Sequence, residues 1–291
     1  MCIRDRRGTD FLAACDTATP AGQREAARLR SSAGSAASAW LTAMPCVPAT
    51  RLTDREFQTA GRHRLGLGLS TSVRTPPCTC RRGEAAEPDH AMTCDHCKPA
   101  ATMRHDKLTK VWRRGLRNAG VPSAEEPRYG RMAANMTAAE LAGLRRGDFS
   151  ALVGDRLVVG DVVVTHPAAA SYARAAAQTA GSAAKRAEDA KVAEFQRHGD
   201  GAGFEFVPLA IESFGRHGKQ AMRFLSQVGD LVSEGGGNKR EFVRHVREEL
   251  SCALARGITR MYCRALSNVV RASGAAFVPG LDVVVSCGSS D

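Results

Sequence analysis

The most informative segment of this chain covers residues 146–165. It reads Arg146-Gly-Asp-Phe-Ser-Ala-Leu-Val-Gly-Asp-Arg-Leu-Val-Val-Gly-Asp-Val-Val-Val-Thr165. Apolar, largely β-branched runs stand on both sides of Gly154-Asp155, a dipeptide typical of a two-residue turn. The pattern therefore predicts a tight β-hairpin centred on that dipeptide.

A two-residue turn also fixes which acidic residues face each other. Val153 then pairs with Arg156, and counting outward in equal steps pairs Asp148 with Asp161. Directly opposed residues share one face of a sheet, with Cβ atoms about 4.5–5.5 Å apart. Two carboxylates roughly 5 Å apart repel by about 3 kcal/mol at an effective dielectric near 20. The pairing is therefore typical of a divalent-metal site, in which a cation lies between the acids.

Composition narrows the classes of partner. The 291 residues suffice for one substantial domain and a second, smaller folded unit. Lys and Arg total 41 against 30 acidic residues, giving a net charge of +11 and a pI near 9.5. Such an excess favours a polyanionic partner, most often nucleic acid, although a generally basic protein is the alternative. The N-terminus lacks the apolar region of a secretory signal, and no run reaches the roughly 18 apolar residues that span a bilayer, so we expect no membrane partner.

Periodicity divides the chain into five parts. They are an ill-determined segment at 1–39, a helical segment at 40–72, a zinc-knuckle-like loop at 73–103, a mixed α/β domain at 104–272 and a tail at 273–291. In the domain we expect helices over 104–118, 168–197, 217–232 and 239–272, and a third strand over 204–211. The polar stretch 123–147 has no predicted form.

The loop at 73–103 is rich in metal-ligand residues. Cys78, Cys80, His90 and Cys94 offer three thiolates and an imidazole, which suffice for a closed tetrahedral zinc site. Cys97 or His96 could replace one of the four. Reduced surface cysteines without a metal are the alternative. A structural zinc here would make a polar loop rigid and fix the helix that follows it.

The helix predicted after this loop is strongly basic. Its candidates for contact with a phosphate backbone are Arg104, Lys107, Lys110, Arg113, Arg114 and Arg117. A solvated helix face is the ordinary explanation of such a charge run. Its place beside a zinc loop and a metal-binding hairpin favours nucleic-acid contact.

Several motifs, taken in their order along the chain, resemble one known family. Arg146-Gly-Asp148, twelve residues and then Asp161 are similar to the Arg/Lys-Pro-Asp…Asp/Glu signature of the restriction-like endonuclease of site-specific non-LTR retrotransposons, a member of the PD-(D/E)xK superfamily. In that family a Cys-Cys-His-Cys knuckle precedes the nuclease, and an Arg-His-Asp/Asn tripeptide follows the knuckle, matched here by residues 104–106. Segments 161–167 and 206–215 also resemble the family's C-terminal region. The resemblance covers about 40–265.

This resemblance implies a restriction-endonuclease-like mixed sheet flanked by helices, preceded by a small zinc knuckle and a helical N-terminal segment. It also implies an active-site lysine on the helix after the hairpin, in a Lys-x-x-x-aromatic setting that Lys191 and Phe195 match. Lys191 would border the buried helix face, whereas Lys185 is the weaker candidate. Gly147 stands where the family has proline, and the Cys-x-Cys and His-x3-Cys spacings are each one residue short.

The leading hypothesis is a Mg²⁺-dependent endonuclease that nicks target DNA, so that the new 3′ hydroxyl primes reverse transcription. Asp148 and Asp161 would bind Mg²⁺, with Glu126 as an additional ligand, and Lys191 would offset charge on the phosphate. DNA would be the partner, with the element's RNA as a further one, and such an enzyme would act in the nucleus. The chain has no Asp-Asp pair, so the polymerase motif of such elements is absent. We therefore expect a C-terminal fragment or a decayed copy.

Two alternatives use the same residues differently. The first is a catalytically inactive, zinc-containing module that binds nucleic acid through the loop and the basic helix. The second is a structural zinc protein that contacts other proteins. The second explains the cysteines but not the opposed aspartates.

Overall fold

The computed structural model describes residues 10–68, 78, 80, 89–129, 145–199 and 203–273. Its helices are α1 Pro20–Ser32, α2 Ala39–Thr42, α3 Asp54–Arg64, α4 His90–Thr93, α5 Lys98–Asn118, α6 Ala173–Gln178, α7 Ser182–Gly199, α8 Lys219–Glu234 and α9 Lys239–Ser273. A 3₁₀ turn covers Asp95–Cys97. The strands are β1 Ser123–Glu125, β2 Arg128–Tyr129, β3 Arg145–Arg146, β4 Phe149–Val153, β5 Arg156–Thr165 and β6 Glu205–Glu212.

Four of the strands form one mixed sheet in the order β1-β4-β5-β6. Strand β4 is antiparallel to both β1 and β5, and β5 is parallel to β6. Helices α5, α8 and α9 pack with one face of this sheet in the main hydrophobic core, and α7 packs on the other face. The predicted mixed α/β fold with a helix-flanked sheet is confirmed. Strands β2 and β3 form a separate two-stranded sheet.

The predicted hairpin is also confirmed. Val153 pairs with Arg156 across the turn, and Gly154 takes a φ of +65°, a left-handed conformation that glycine adopts at no steric cost. At the other end Phe149 pairs with Gly160. The Phe149 ring is fully buried, and a Cβ at position 160 would lie 2.2 Å from it. The glycine therefore makes room for an aromatic ring from the neighbouring strand.

Strand alternation places the acidic residues on the α7 side of the sheet. Val158 and Val162 belong to the main core, whereas Val163 packs against Ala184 and Ala187 of α7. Successive side chains of a strand point to opposite faces. Asp161 therefore shares its face with Val163 and lies beneath α7.

Two buried glutamates hold the helices against the sheet. Glu212 ends β6 and accepts a hydrogen bond from the Ala184 backbone N–H in the first turn of α7, at 3.1 Å. Glu188 accepts one from the Gln220 N–H in the first turn of α8, at 3.0 Å. A carboxylate at a helix N-terminus satisfies free N–H groups and interacts favourably with the helix dipole. Burial raises the pKa of both carboxyls.

The predicted boundaries differ from the structure in three places. The single helix predicted over 168–197 is two helices, α6 and α7, separated near Gly181, which has a φ of +80°. Helix α5 begins at residue 98 rather than 104, and α1 lies in the segment for which no order was predicted. The tail from 274, residues 1–9, and parts of the 40–72, 73–103 and 123–147 segments lie outside the described residues. Among the described helices, none combines the length and hydropathy of a membrane span.

Candidate metal centres

The hairpin brings Asp148 and Asp161 together at its open end. The strand register runs from Val153–Arg156 to Phe149–Gly160, and Asp148 directly precedes β4 and donates its N–H to the Gly160 carbonyl at 3.0 Å. One ligand atom from each aspartate and one from His105 all lie within 4.8 Å of one another. Asp161 is 6% exposed. We call Asp148, Asp161, His105 and Lys191 the aspartate cluster.

Lys191 reaches the cluster from α7. Its Nζ lies 2.9 Å from Asp161 Oδ2. One turn later, Phe195 stacks on Phe206 of β6, with ring centroids 4.6 Å apart, and this contact holds the helix at the edge of the sheet. Lys185, the weaker candidate, is exposed and forms an i,i+4 ion pair with Asp189 at 2.5 Å. The structure therefore brings Lys191, and not Lys185, to the aspartates.

His105 is the member of the cluster that sequence analysis missed. Its Nε2 donates to Asp148 Oδ2 at 3.0 Å, and the hydrogen bond to this carboxylate raises the His105 pKa to about 9. The sequence does contain an indication that His105 lies toward the buried side of its helix. His105 precedes Leu108 and Trp112 at helical spacings of three and seven, so it lies at the margin of the buried stripe of α5. A histidine on that stripe is a candidate for the buried side of the helix.

In the described part of the chain, each aspartate makes its side-chain contacts through Oδ2. Oδ2 of Asp148 also accepts the Val162 N–H at 2.6 Å, and Oδ2 of Asp161 faces Lys191. Among the described residues, none hydrogen-bonds to Oδ1 of either carboxylate. Burial raises the pKa of Asp161, Lys191 opposes this shift and the charge of Asp148 adds to it. The two free oxygens are hard donors of the kind that Mg²⁺ and Ca²⁺ prefer.

Glu126, predicted as an additional ligand, is not brought into this cluster. Its backbone N–H donates to the Asp148 carbonyl at 3.2 Å, so the residue lies next to the hairpin. Its side chain is exposed and accepts a hydrogen bond from Arg146 Nη1 at 3.1 Å. A φ of +43° at Glu126 marks the bend that turns the side chain outward.

The basic helix α5 presents only part of its predicted nucleic-acid face. Lys107, Lys110 and Arg117 are exposed, whereas Arg104 is 7% exposed and packs against Gly257 of α9. At about 100° per residue, the three exposed cations point roughly 120–160° away from His105 around the helix axis. They therefore lie on a different side of α5 from the aspartate cluster.

Two further arginines of this helix are engaged by acids distant in the sequence. Arg113 forms an ion pair with Glu125 of β1. Arg114 Nη2 lies 2.7 Å from Glu249 Oε2, a nearly buried carboxylate of α9. Both arginines hold α5 against neighbouring elements. Their charges are neutralised within the protein.

The cysteine-rich loop forms a second possible metal centre. Cys78, Cys80, His90 and Cys94 each offer a ligand atom, all within 4.8 Å of one another. Sγ of Cys78 and Sγ of Cys94 are 3.7 Å apart, and Sγ of Cys80 lies 3.5 Å from His90 Nε2. A tetrahedral ion with metal–sulfur and metal–nitrogen bonds of about 2.3 and 2.05 Å has S···S and S···N edges of about 3.8 and 3.6 Å. These four residues could therefore hold a metal ion such as zinc.

Neither alternative ligand belongs to this group of four, although the Cys97 thiol interacts with the thiol of Cys94. Cys97 is fully buried, and its Sγ donates to the Met261 carbonyl at 3.5 Å. His96 is exposed. Burial raises the pKa of the Cys94 thiol to about 12. A buried thiol of this kind becomes a thiolate when a metal cation binds it.

A buried polar chain connects this loop to the end of β5. Asp89, next to the candidate ligand His90, accepts a hydrogen bond from His166 Nε2 at 3.0 Å, and His166 Nδ1 lies 2.7 Å from Ser213 Oγ. His166 follows β5, five residues after Asp161. The serine and histidine are almost fully buried, so this chain holds the loop to the sheet.

Comparison with known proteins gives no family for this chain. No protein-family model matches it, and a comparison with curated proteins finds no significant match.

Proposed function

We propose that the protein is a metal-dependent DNA endonuclease of the restriction-like type, with the aspartate cluster as its catalytic centre. The observation that carries the proposal is the convergence of Asp148 just before β4, Asp161 of β5 and Lys191 of a separate helix, α7. Two carboxylates and a lysine beside a mixed sheet are the residues that the resemblance to retrotransposon endonucleases implies. They lie together even though Lys191 is 30 residues from the nearer aspartate.

The donor set fits a hard divalent cation. Asp148 and Asp161 each offer a carboxylate oxygen to the cluster, and among the described residues none hydrogen-bonds to Oδ1 of either one. When bound there, Mg²⁺ would polarise a scissile phosphate and lower the pKa of a bound water. His105 fits this ion less well as a ligand, because imidazole is a softer donor than the oxygens that Mg²⁺ prefers.

The side chains of the cluster have distinct roles in this proposal. Lys191 holds Asp161 in place and adds a positive charge next to the position of the phosphate, where negative charge grows during hydrolysis. His105 is a positioning residue, since it orients Asp148 through Oδ2 and does not occupy Oδ1. Water adds to phosphorus and the bond to the 3′ oxygen breaks, which leaves a 3′ hydroxyl and a 5′ phosphate. The 3′ hydroxyl is the end that primes reverse transcription in the related elements.

The cysteine centre would hold structural Zn²⁺. Its thiolates and imidazole are the donors that zinc prefers, and the interligand distances match a tetrahedral site. Cys94 lies four residues before the start of α5, and Asp89 anchors the loop to His166. A metal here would fix the start of the helix that carries His105. The nuclear location of a genome-targeting enzyme follows from the same proposal.

The test is nicking of supercoiled plasmid in Mg²⁺. We expect wild type to produce open circles whose 3′ ends a DNA polymerase extends, and Asp148→Asn to lower the rate by at least about 100-fold. Asp155→Asn is the matched control, since it removes an exposed carboxylate from the turn of the same hairpin. Equal nicking by both variants and wild type would remove the aspartate cluster from the mechanism.

A non-catalytic nucleic-acid-binding module is the second candidate. It is favoured by the pairing of His105 with Asp148 and of Lys191 with Asp161, which neutralises both carboxylates without a metal. In that case wild type binds DNA in EDTA but produces no open circles in Mg²⁺ or Mn²⁺. Lys191→Ala then changes neither result.

A further inference from the structure

A cleft of about 700 Å³ lies between α8, the first half of α9 and the segment that contains α2. Four cations and one acid line it: Lys239, Arg240, Arg244, Arg247 and Glu248. Their formal charges sum to +3, from four positive and one negative side chain. None of the residues lining the cleft belongs to the aspartate cluster or to the cysteine centre. We call it the basic cleft.

Two of these cations are neutralised and two are not. Lys239 pairs with Asp230, and Arg244 Nη1 lies 3.0 Å from Glu248 Oε1. Arg240 and Arg247 have no acidic partner within ion-pair distance among the described residues. The Nε atom of Arg247 is buried and lacks a hydrogen-bond partner in the same part of the chain. Arg240 and Arg247 are therefore the two lining cations whose charge no acid of the described residues neutralises.

The remaining polar lining consists of small hydroxyl side chains. Ser35, Ser38 and Thr42 lie on the wall formed by α2 and the residues before it, and Ser226 of α8 lies on another wall. Hydroxyls combined with guanidinium groups are the side chains that contact phosphate oxygens in protein–DNA complexes. Arginine also donates two parallel hydrogen bonds to a phosphate. The lining therefore suits a phosphodiester better than a single carboxylate.

We infer that the basic cleft binds the phosphate backbone of a nucleic-acid strand, with Arg240 and Arg247 as the principal contacts. The net charge of +11 for the whole chain favours the same class of partner. This inference goes beyond the proposed function, because the cleft would bind a strand whether or not the aspartate cluster cleaves it. It also gives the protein a second nucleic-acid contact, apart from the exposed cations of α5.

The test measures binding of fluorescently labelled single-stranded and duplex DNA by anisotropy, with the whole chain in EDTA so that no cleavage occurs. The variant is Arg240→Gln with Arg247→Gln. Loss of two phosphate contacts lowers the slope of log K against log salt by about 1.4 for a single strand and about 1.8 for duplex DNA. If this contribution vanishes at 1 M salt, affinity at 0.1 M falls roughly 25-fold and 60-fold respectively.

The matched control is Arg174→Gln with Arg186→Gln, which removes two exposed charges from α6 and α7. The inference holds if the cleft variant loses affinity and slope while the control retains most of both. It is overturned if the two variants behave alike. It is also overturned if the cleft variant loses binding to acidic phospholipid vesicles but not to DNA.

A single substitution tests the inference in case the double variant does not fold. Arg240 is exposed, so Arg240→Glu should leave the thermal unfolding midpoint unchanged and still weaken DNA binding at low salt. Unchanged DNA binding by Arg240→Glu overturns the inference. Because every measurement is made without divalent metal, a failed nicking assay does not affect this result.

Discussion

Lys191→Met should destabilise the protein strongly when no divalent metal is present. Asp161 is 6% exposed, and Lys191 Nζ lies 2.9 Å from its Oδ2. At an effective dielectric near 20, the attraction at this distance is about 6 kcal/mol before desolvation is subtracted. Removing one partner of a buried pair costs about 3–5 kcal/mol. Since 31% of the Lys191 side chain remains exposed, we expect the lower end, about 3 kcal/mol.

The stability lost in Lys191→Met should depend on pH, and the direction follows from the pKa of Asp161. Burial already raises the pKa of Asp161, and Lys191 is the first influence that opposes this shift, so its loss raises the pKa further. A carboxyl whose folded pKa lies above its unfolded value, about 3.9, binds more protons in the folded state. The stability it contributes is present at low pH and is lost as the pH rises through the folded pKa. The deficit of Lys191→Met is therefore small near pH 4 and grows toward neutral pH.

Urea unfolding followed by circular dichroism measures this effect, first in EDTA and then in millimolar Mg²⁺. A cation bound by the two aspartates should restore most of the lost stability near neutral pH. Lys185→Met is the control on the same helix, and loss of its exposed pair with Asp189 costs about 0.3–0.5 kcal/mol. Equal losses in the two variants, or a deficit that neither pH nor Mg²⁺ changes, would refute the pairing of Lys191 with a buried, metal-binding acid.

Three further perturbations test other parts of the structure. The His105 pKa of about 9 lies above its unfolded value near 6.5, so in EDTA the pairing of His105 with Asp148 stabilises the fold fully below about pH 6.5. This contribution, roughly 3 kcal/mol, is lost as the pH rises through about 9. Urea unfolding of His105→Gln should show no such loss. Cys94→Ser should remove the bound metal, as measured by mass spectrometry, and should lower the Tm by roughly 6–12 °C. Cys46 is exposed, so Cys46→Ser is the control and should change neither the metal content nor the Tm. Gly160→Ala places a Cβ against the buried Phe149 ring and should cost about 1–3 kcal/mol in urea unfolding; an unchanged midpoint would contradict the close packing of these strands.

The α-helical boundaries show where local pattern was insufficient. The alanine-rich run over 168–197 has uniform helix propensity, so it predicts one helix, yet the chain breaks near Gly181. There the N-terminus of α7 is oriented by Glu212, whose carboxylate accepts the Ala184 N–H. That acceptor lies 28 residues away along the chain. Helix propensity cannot register a partner so distant in sequence.

The basic helix shows the same limit for charge. Six cations on one segment predict a binding face, but Arg113 and Arg114 are paired with Glu125 and Glu249. The second of these acids is 135 residues from its partner. Arg104 is covered by α9, which packs closely at Gly257. Whether a cation can contact nucleic acid depends on such tertiary partners, whereas the sequence shows only where the charged residues are.

The proximity of Asp148 and Asp161 was accessible from the sequence, because strand alternation has a period of two and a two-residue turn fixes the register of the hairpin locally. The cysteine ligands were accessible for a similar reason, since all four lie within 17 residues. Lys191 could be placed only through a family resemblance, and His105 was not placed at all. Both come from helices whose position on the sheet depends on packing, such as the stacking of Phe195 on Phe206. Packing between distant segments, which a local period does not encode, therefore assembles the cluster from its separate parts.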